Sequence, residues 1–262
     1  SFQKYYEKPS RRFARLSPPA YQFRGERLPR RQMAVLEGRM PLDKALACAR
    51  ERGATLTELM TAVFLCAIHD GMRVRDRRKP VVVAVPVNLR NFFPSESARN
   101  FFATINVGYD FSQGEDSLEP VLAEVKRSFQ ANLTQERMRE HMNRLCALEH
   151  SVPLRLVPLP LKDVILLAAN RLTARGVTAS FSNIGKVSMP KEMEKLIHFF
   201  GAYTSAGKTQ ACACSFGGQY VVSFAGPFRS HETERVFFKE LSRMGVDVVI
   251  TTNLPPGSER GS

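Results

Sequence analysis

The sequence predicts an α/β fold, an α+β sandwich with helices packed on one side of a mixed, largely antiparallel sheet. Three observations carry that expectation. Residues 81–85 form a continuous run of β-branched and small apolar residues, the pattern of a strand buried on both faces. Leu118, Val121, Leu122, Val125 and Phe129 recur at spacings of three and four, which puts them on one face of a helix. The runs 209–216 and 219–225 are joined only by Gly217-Gly218, a pair with the backbone freedom a tight hairpin needs.

Taken in order, residues 1–41 combine Pro9, Pro18, Pro19, Pro29 and Pro41 with arginines and show no sustained period, so they read as an extended arm or linker. Ordered structure is expected from residue 42, with a short helix over 42–52 stopped by Gly53. Thr55-Leu56-Thr57-Glu58 supplies a capping box for a second helix to about Met72, apolar almost all round and therefore buried. The strand over 81–87 follows, then a loop at Pro94-Ser95 and a strand over 102–111. Helices are expected from 116 onward, over 134–149 and over 160–175, with Pro153, Pro158 and Pro160 between the last two. After Gly176 the pattern turns to strands over 177–183, 196–204, 209–216 and 219–225, then a helix over 230–244 and a strand over 246–251. This divides the chain into an arm (1–41), a lobe (42–251) and a tail (252–262).

Composition narrows the classes. The chain has 262 residues of which 44% are hydrophobic, enough for a sizeable core. No run approaches the length of a membrane span, so no membrane partner is expected. Ser1 in place of methionine and the closing Gly261-Ser262 predict a piece of something longer. Five cysteines (Cys48, Cys66, Cys146, Cys212, Cys214) are an odd number without Cys-x-x-Cys spacing, which fits a reducing cytoplasm and no metal site. Cys212 and Cys214 share a strand face and read as buried small residues.

Net charge is +13, and residues 1–31 hold nine cations against two acids. Such an arm suits phosphates, an anionic surface or nucleic acid, and equally a solvated linker. It carries no nucleic-acid motif.

No Gly-x-Ser-x-Gly elbow, His-Glu-x-x-His helix, phosphate loop or dinucleotide fingerprint is present, which removes the usual support for hydrolase, kinase and dehydrogenase readings. The histidines read as structural. His69 sits at the end of the buried helix, where it complements the dipole and Gly71 caps the helix. His141, His150 and His231 read as surface positions, and His198 as packed within a strand. Arg90 ends the strand that begins at Val81, and a guanidinium there implies a carboxylate or phosphate facing it. Along Ser180-Phe181-Ser182-Asn183-Ile184-Gly185, Ser180, Ser182 and Ile184 share one face of a strand while Phe181 and Asn183 share the other. Its polar end can donate to a substrate carbonyl or simply bond its own backbone in a turn.

The helix with Gly53-Ala54-Thr55-Leu56-Thr57-Glu58-Leu59, the segment Pro86-Val87-Asn88-Leu89-Arg90, the segment Asn100-Phe101-Phe102-Ala103-Thr104 and Ser182-Asn183-Ile184-Gly185 occur in an order that resembles one protein family. It is the C-terminal lobe of the chloramphenicol-acetyltransferase-like superfamily, with its condensation domains and alcohol O-acetyltransferases, the latter branch being nearest by pattern. The resemblance spans about residues 17–251. It implies a CoA-dependent acyltransferase-like lobe, acyl-CoA as co-substrate without a metal, and a small alcohol or amine as acyl acceptor. Family members carry a His-His-x-x-x-Asp-Gly motif in the N-terminal lobe, whose second histidine is the general base. No histidine here has an aspartate four residues later. The resemblance therefore implies that the base lies on another segment and that this chain alone is inactive. It further implies that Arg90 braces the motif's aspartate and that Asn88, Ser182, Asn183 and Gly185 border the substrate tunnel. An isolated lobe exposes an apolar face, so association with the N-terminal lobe or with a second copy is expected. The alternative is a non-enzymatic binding or scaffold module that applies its basic arm to nucleic acid or an acidic partner.

Overall fold

A computed structural model describes residues 18–96, 100–149, 158–204 and 207–254. In chain order it contains β1 (Ala34–Pro41), α1 (Leu42–Glu51), α2 (Leu56–Asp70), β2 (Val81–Asn88), β3 (Phe102–Tyr109), α3 (Leu118–Asn132), α4 (Gln135–Glu149), α5 (Leu159–Ala174), β4 (Ala179–Lys186), the single turn α6 (Lys191–Glu194), β5 (Gln210–Phe216), β6 (Gln219–Gly226), α7 (Glu232–Arg243) and β7 (Val249–Thr252). The expectations for residues 1–17, for His150 and Pro153, for the Cys146 side chain and for the tail beyond 254 lie outside the described residues.

The strands form one seven-stranded sheet in the order β3-β2-β4-β5-β6-β1-β7. Only the β2–β4 and β4–β5 pairs are parallel; the rest are antiparallel. The expected mixed, largely antiparallel sheet is therefore what forms. Gly217 (φ 55°) and Gly218 (φ 78°) both occupy the left-handed region at the β5–β6 hairpin, where other residues are strained.

One sheet face carries the helices. The Thr55 hydroxyl accepts from the Glu58 backbone N–H while Glu58 accepts from the Thr55 N–H, so the capping box fixes the start of α2. Leu59, Met60, Val63, Phe64, Leu65 and Ile68 of that helix are fully buried. Phe64 meets Phe224 and Phe237 edge to face, at 5.3 and 6.2 Å between ring centres. The core thus ties α2 and α7 to β6.

The tertiary structure corrects several expectations. Residues 34–41 are not an arm: β1 pairs with β6 along its whole length and with β7 on its other side. Its signature hid behind Glu37 and Arg39, which alternate with Leu36, Gly38 and Met40. A Cβ at Gly38 would stand 2.1 Å from the Phe238 ring, so glycine is what lets α7 approach the strand. Residues 81–85 are not buried on both faces, since Val81, Val83 and Val85 enter the core while Val82 and Ala84 are half-buried on the outer face. Residues 196–204 form no strand but lie irregularly across the outer face of the sheet, where the Phe200 carbonyl accepts from Cys214 Sγ at 3.2 Å. His198 is accordingly exposed on this segment rather than packed in a strand. His231 is buried at the start of α7 rather than on the surface.

Gly71 has φ −77°, so α2 ends without a left-handed glycine. His69, just before it, is 4% exposed and stacks on Phe111 at 4.0 Å between ring centres. Burial holds its imidazole pKa below the ordinary value, and nearby Arg77 pushes the same way, against the opposing carboxylates of Asp116 and Asp70. The histidine is thus neutral in the fold rather than a cation serving the helix dipole. Stability is expected to be full above the unfolded imidazole pKa of about 6.5 and to fall as the pH drops from there through the lower folded value. Chemical denaturation across that range should show the loss, and His69→Phe should flatten it. An equally steep acid dependence in the variant would assign the effect elsewhere.

Candidate functional site

The sheet opens where the sequence places its candidate residues. β2 and β4 pair only at Val83 with Ala179 and at Ala84 with Ser180. Beyond that point β2 stays with β3 as far as Asn88–Phe102, and β4 stays with β5 as far as Lys186–Ser215. Two parallel strands that part toward their carboxyl ends leave a crevice, the place where ligands enter open α/β sheets.

Asn88 and Arg90 lie at the carboxyl end of β2. β2 ends in a 3-10 turn, Leu89–Asn91, and the Asn88 side-chain oxygen accepts from the Arg90 backbone N–H at 3.1 Å. Leu89 is buried and anchors this turn, which leaves Arg90 exposed. The expectation of a guanidinium at the end of a doubly buried strand is therefore corrected: the 3-10 turn lifts Arg90 out of the sheet.

Ser182, Asn183 and Gly185 lie on β4 beyond its last pairing with β2. The Asn183 side-chain amide donates to Thr57 Oγ1 at 2.8 Å, and its carbonyl oxygen accepts from the Gly185 backbone N–H at 3.1 Å. Gly185 takes φ +83°, and the register with β5 shifts between Asn183 and Gly185. This bulge is built by Asn183 and tolerated because residue 185 is glycine. Asn183 thus bonds its own strand as a turn residue does, the second of the alternatives read from the sequence, and its amide also reaches the first turn of α2. Ser182 lies on the opposite face and is half-buried, next to Ile184, which is 58% exposed.

Thr57 is the site residue that sequence reasoning missed. It stands inside the capping-box segment that also carries the resemblance, and nothing local distinguishes it from a solvated helix residue. Its hydroxyl accepts from the Asn183 amide and so sets the first turn of α2 beside the β4 bulge.

Of the described histidines, His69 occupies the far end of α2 from Thr57, His141 is half-buried on α4, His231 starts α7, and His198 lies beside Gly217 and Gln219 on the outer face. Next to the crevice in sequence, α5 presents Leu159, Leu161, Val164 and Leu167 outward, each more than half exposed. Its last turn is tied down by Lys208, whose ammonium donates to the Ala174 and Val177 carbonyls and to Gln22. Burial pushes the Lys208 pKa below the ordinary value. No helix among the described residues is long and apolar enough to cross a membrane.

No known family profile matches the sequence, and no curated protein matches it. Solved structures do. The chain is similar to the trichothecene 15-O-acetyltransferase TRI3 from Fusarium sporotrichioides, with a TM-score of 0.56 and 13% identity over 86% of this chain and 48% of that one. It is similar to the epimerization domain from the third module of tyrocidine synthetase B, with a TM-score of 0.52 and 12% identity over 90% of this chain and 52% of that one. The PapA2 acyl transferase gives a TM-score of 0.50 and 10% identity over 88% of this chain and 46% of that one. This chain spans about half the length of each. It therefore shares the fold of these acetyltransferase, acyl transferase and epimerization-domain structures.

Proposed function

We propose that the chain is the C-terminal lobe of a two-lobed acyltransferase that moves an acyl group from acyl-CoA to a small alcohol or amine. The observation that supports this reading is the fold, shared with about half of an acetyltransferase, in which Asn88 and Arg90 end β2 while Ser182, Asn183 and Gly185 lie on β4 beyond its last pairing with β2. A base on the N-terminal lobe takes the acceptor's proton as its oxygen or nitrogen attacks the thioester carbonyl. The carbon–sulfur bond then breaks, and the coenzyme thiol leaves with a proton. Arg90, exposed on its turn, is in reach of a carboxylate on that lobe and braces the loop bearing the base. Ser182, Asn88 and Gly185 line the passage, and Asn183 fixes its wall through Thr57.

The apolar side chains of α5 support a lobe contact, because exposed leucines in such number are rare on a finished surface. Without the N-terminal lobe the same face favours a homo-oligomer. The free thiols Cys48, Cys212 and Cys214, all buried, suit a reducing cytoplasm.

The test is thiol release from acetyl-CoA with a panel of alcohols and amines. The 262-residue chain alone is expected to give only background release, and the protein extended by its N-terminal lobe to turn over. Turnover by this chain alone overturns the assignment of roles. A second reading, a non-enzymatic binding or scaffold module, rests on the nine cations within residues 1–31. Nanomolar, steeply salt-dependent binding of DNA or RNA is the result that favours it.

A further inference from the structure

The argument made for Arg90 from sequence, that a guanidinium held in a strand needs an oxyanion, applies with more force to Arg39. Met40 enters the core from β1, so its neighbour Arg39 stands on the outer sheet face, half-buried. Its guanidinium carbon lies 4.3 Å from the centre of the Phe199 ring. Its Nε is shielded from solvent and has no hydrogen-bond partner among the described residues. Glu37, the nearest carboxylate along the same face of β1, is already engaged: its Oε2 accepts from the Tyr203 hydroxyl at 2.7 Å and from Ser223 Oγ at 3.4 Å. That bond, with burial and the Glu37 charge, pushes the Tyr203 pKa up to about 12, so the phenol stays a donor and the carboxylate stays occupied.

Arg39 faces a groove of about 520 Å³ that it lines together with His198, Phe199, Gln219 and Asp247. That is the size of a small-molecule pocket. A shielded guanidinium N–H without an acceptor is costly, and a guanidinium stacked on an aromatic ring keeps its remaining donors in place for an incoming anion. His198 and Gln219 add donors on the same rim. Asp247 opposes a bare anion, so the ligand must present a hydrogen-bond donor beside its charge. The groove is distinct from the crevice. Arg39 pairs with Val221, Val221 with Cys214 and Cys214 with Gly185, which places it three strands, roughly 14 Å, across the sheet.

We propose that this groove is a binding site for the oxyanion headgroup, phosphate or carboxylate, of a small ligand, with Arg39 as the principal contact. The proposal does not depend on the acyltransferase reading. Calorimetric titration of the whole chain with inorganic phosphate, with acetate and with glycolate tests it. Millimolar binding of at least one anion is expected; tighter phosphate than acetate marks a phosphate ligand, and the reverse a carboxylate. Glycolate, with its adjacent hydroxyl, should exceed acetate. Arg39→Ala is expected to weaken binding by about tenfold or more, the loss of a charge-assisted pair. Asp247→Asn, which removes a repulsion, should tighten it by about threefold. The opposite directions separate a binding role from a structural one. Absence of binding by all three anions at tens of millimolar, or equal binding by an Arg39→Ala chain that melts normally, overturns the site. Should Arg39→Ala fail to fold, Asp247→Asn decides, and unchanged or weaker binding in that variant overturns the site equally.

Discussion

If the proposed acyltransferase reading holds, Arg90→Ala in the protein extended by its N-terminal lobe is expected to lower kcat/KM by about 100-fold, the cost of letting a catalytic group drift by about an ångström. Arg90→Lys should recover only part of the activity, since a lysine cannot present the paired donors that hold a carboxylate in one orientation. The pH profile supplies the readout that a merely structural residue would not move. A base that has lost its brace should titrate at a shifted pH even where the variant still turns over. Unchanged kcat/KM in Arg90→Ala removes the bracing role and leaves Arg90 as a surface residue.

Phe224→Ala should cost about 3–5 kcal/mol of folding stability. Phe224 is 1% exposed on β6, and its ring meets Phe64, Phe237 and Phe238 edge to face at 5.3, 5.1 and 5.6 Å between centres. Removing it leaves a cavity at the junction of the sheet with α2 and α7, where close-packed rings cannot collapse to fill the space. The consequence reaches the crevice. α2 carries Thr57, and Thr57 is the partner of Asn183, so a loosened α2 also loosens the bulge that shapes one wall. Urea denaturation measures the loss. Phe102→Ala, at a ring 48% exposed on the edge strand, is the control that should cost far less. Comparable losses in the two variants would show that the aromatic cluster is not the centre of the core.

Most of the helices and strands were legible in the sequence, and for identifiable reasons. The α2 capping box, the amphipathic spacing of α3 and the diglycine of the β5–β6 hairpin each depend on residues close together in the chain, and each forms as expected. β1 was missed because its outward residues are charged, and the alternation of Glu37 and Arg39 with Leu36, Gly38 and Met40 merges with the basic segment before it. The segment 196–204 erred in the other direction. Leu196, Phe199, Phe200 and Tyr203 have strand-like composition, but the sheet already has partners for β4 and β5, so this segment covers the outer face instead.

The candidate site divides along the same line. Asn88, Arg90, Ser182, Asn183 and Gly185 were named from the resemblance and its order of segments, and the structure places them at the ends of β2 and β4. That Arg90 is exposed, that Asn183 reaches Thr57 and that Arg39 rather than Arg90 is the shielded, unpaired guanidinium were decided only by the tertiary structure. Periodicity, capping and turn chemistry act within a few residues and are written in the sequence. Partnership across a sheet depends on which strands become neighbours, and here β4 comes to lie beside β2 and, through Asn183, reaches Thr57 of α2, 126 residues earlier in the chain. The sequence therefore determined the elements and the kind of site they surround, while the parting of β2 from β4 and the burial of each charge followed from long-range packing that no local pattern encodes.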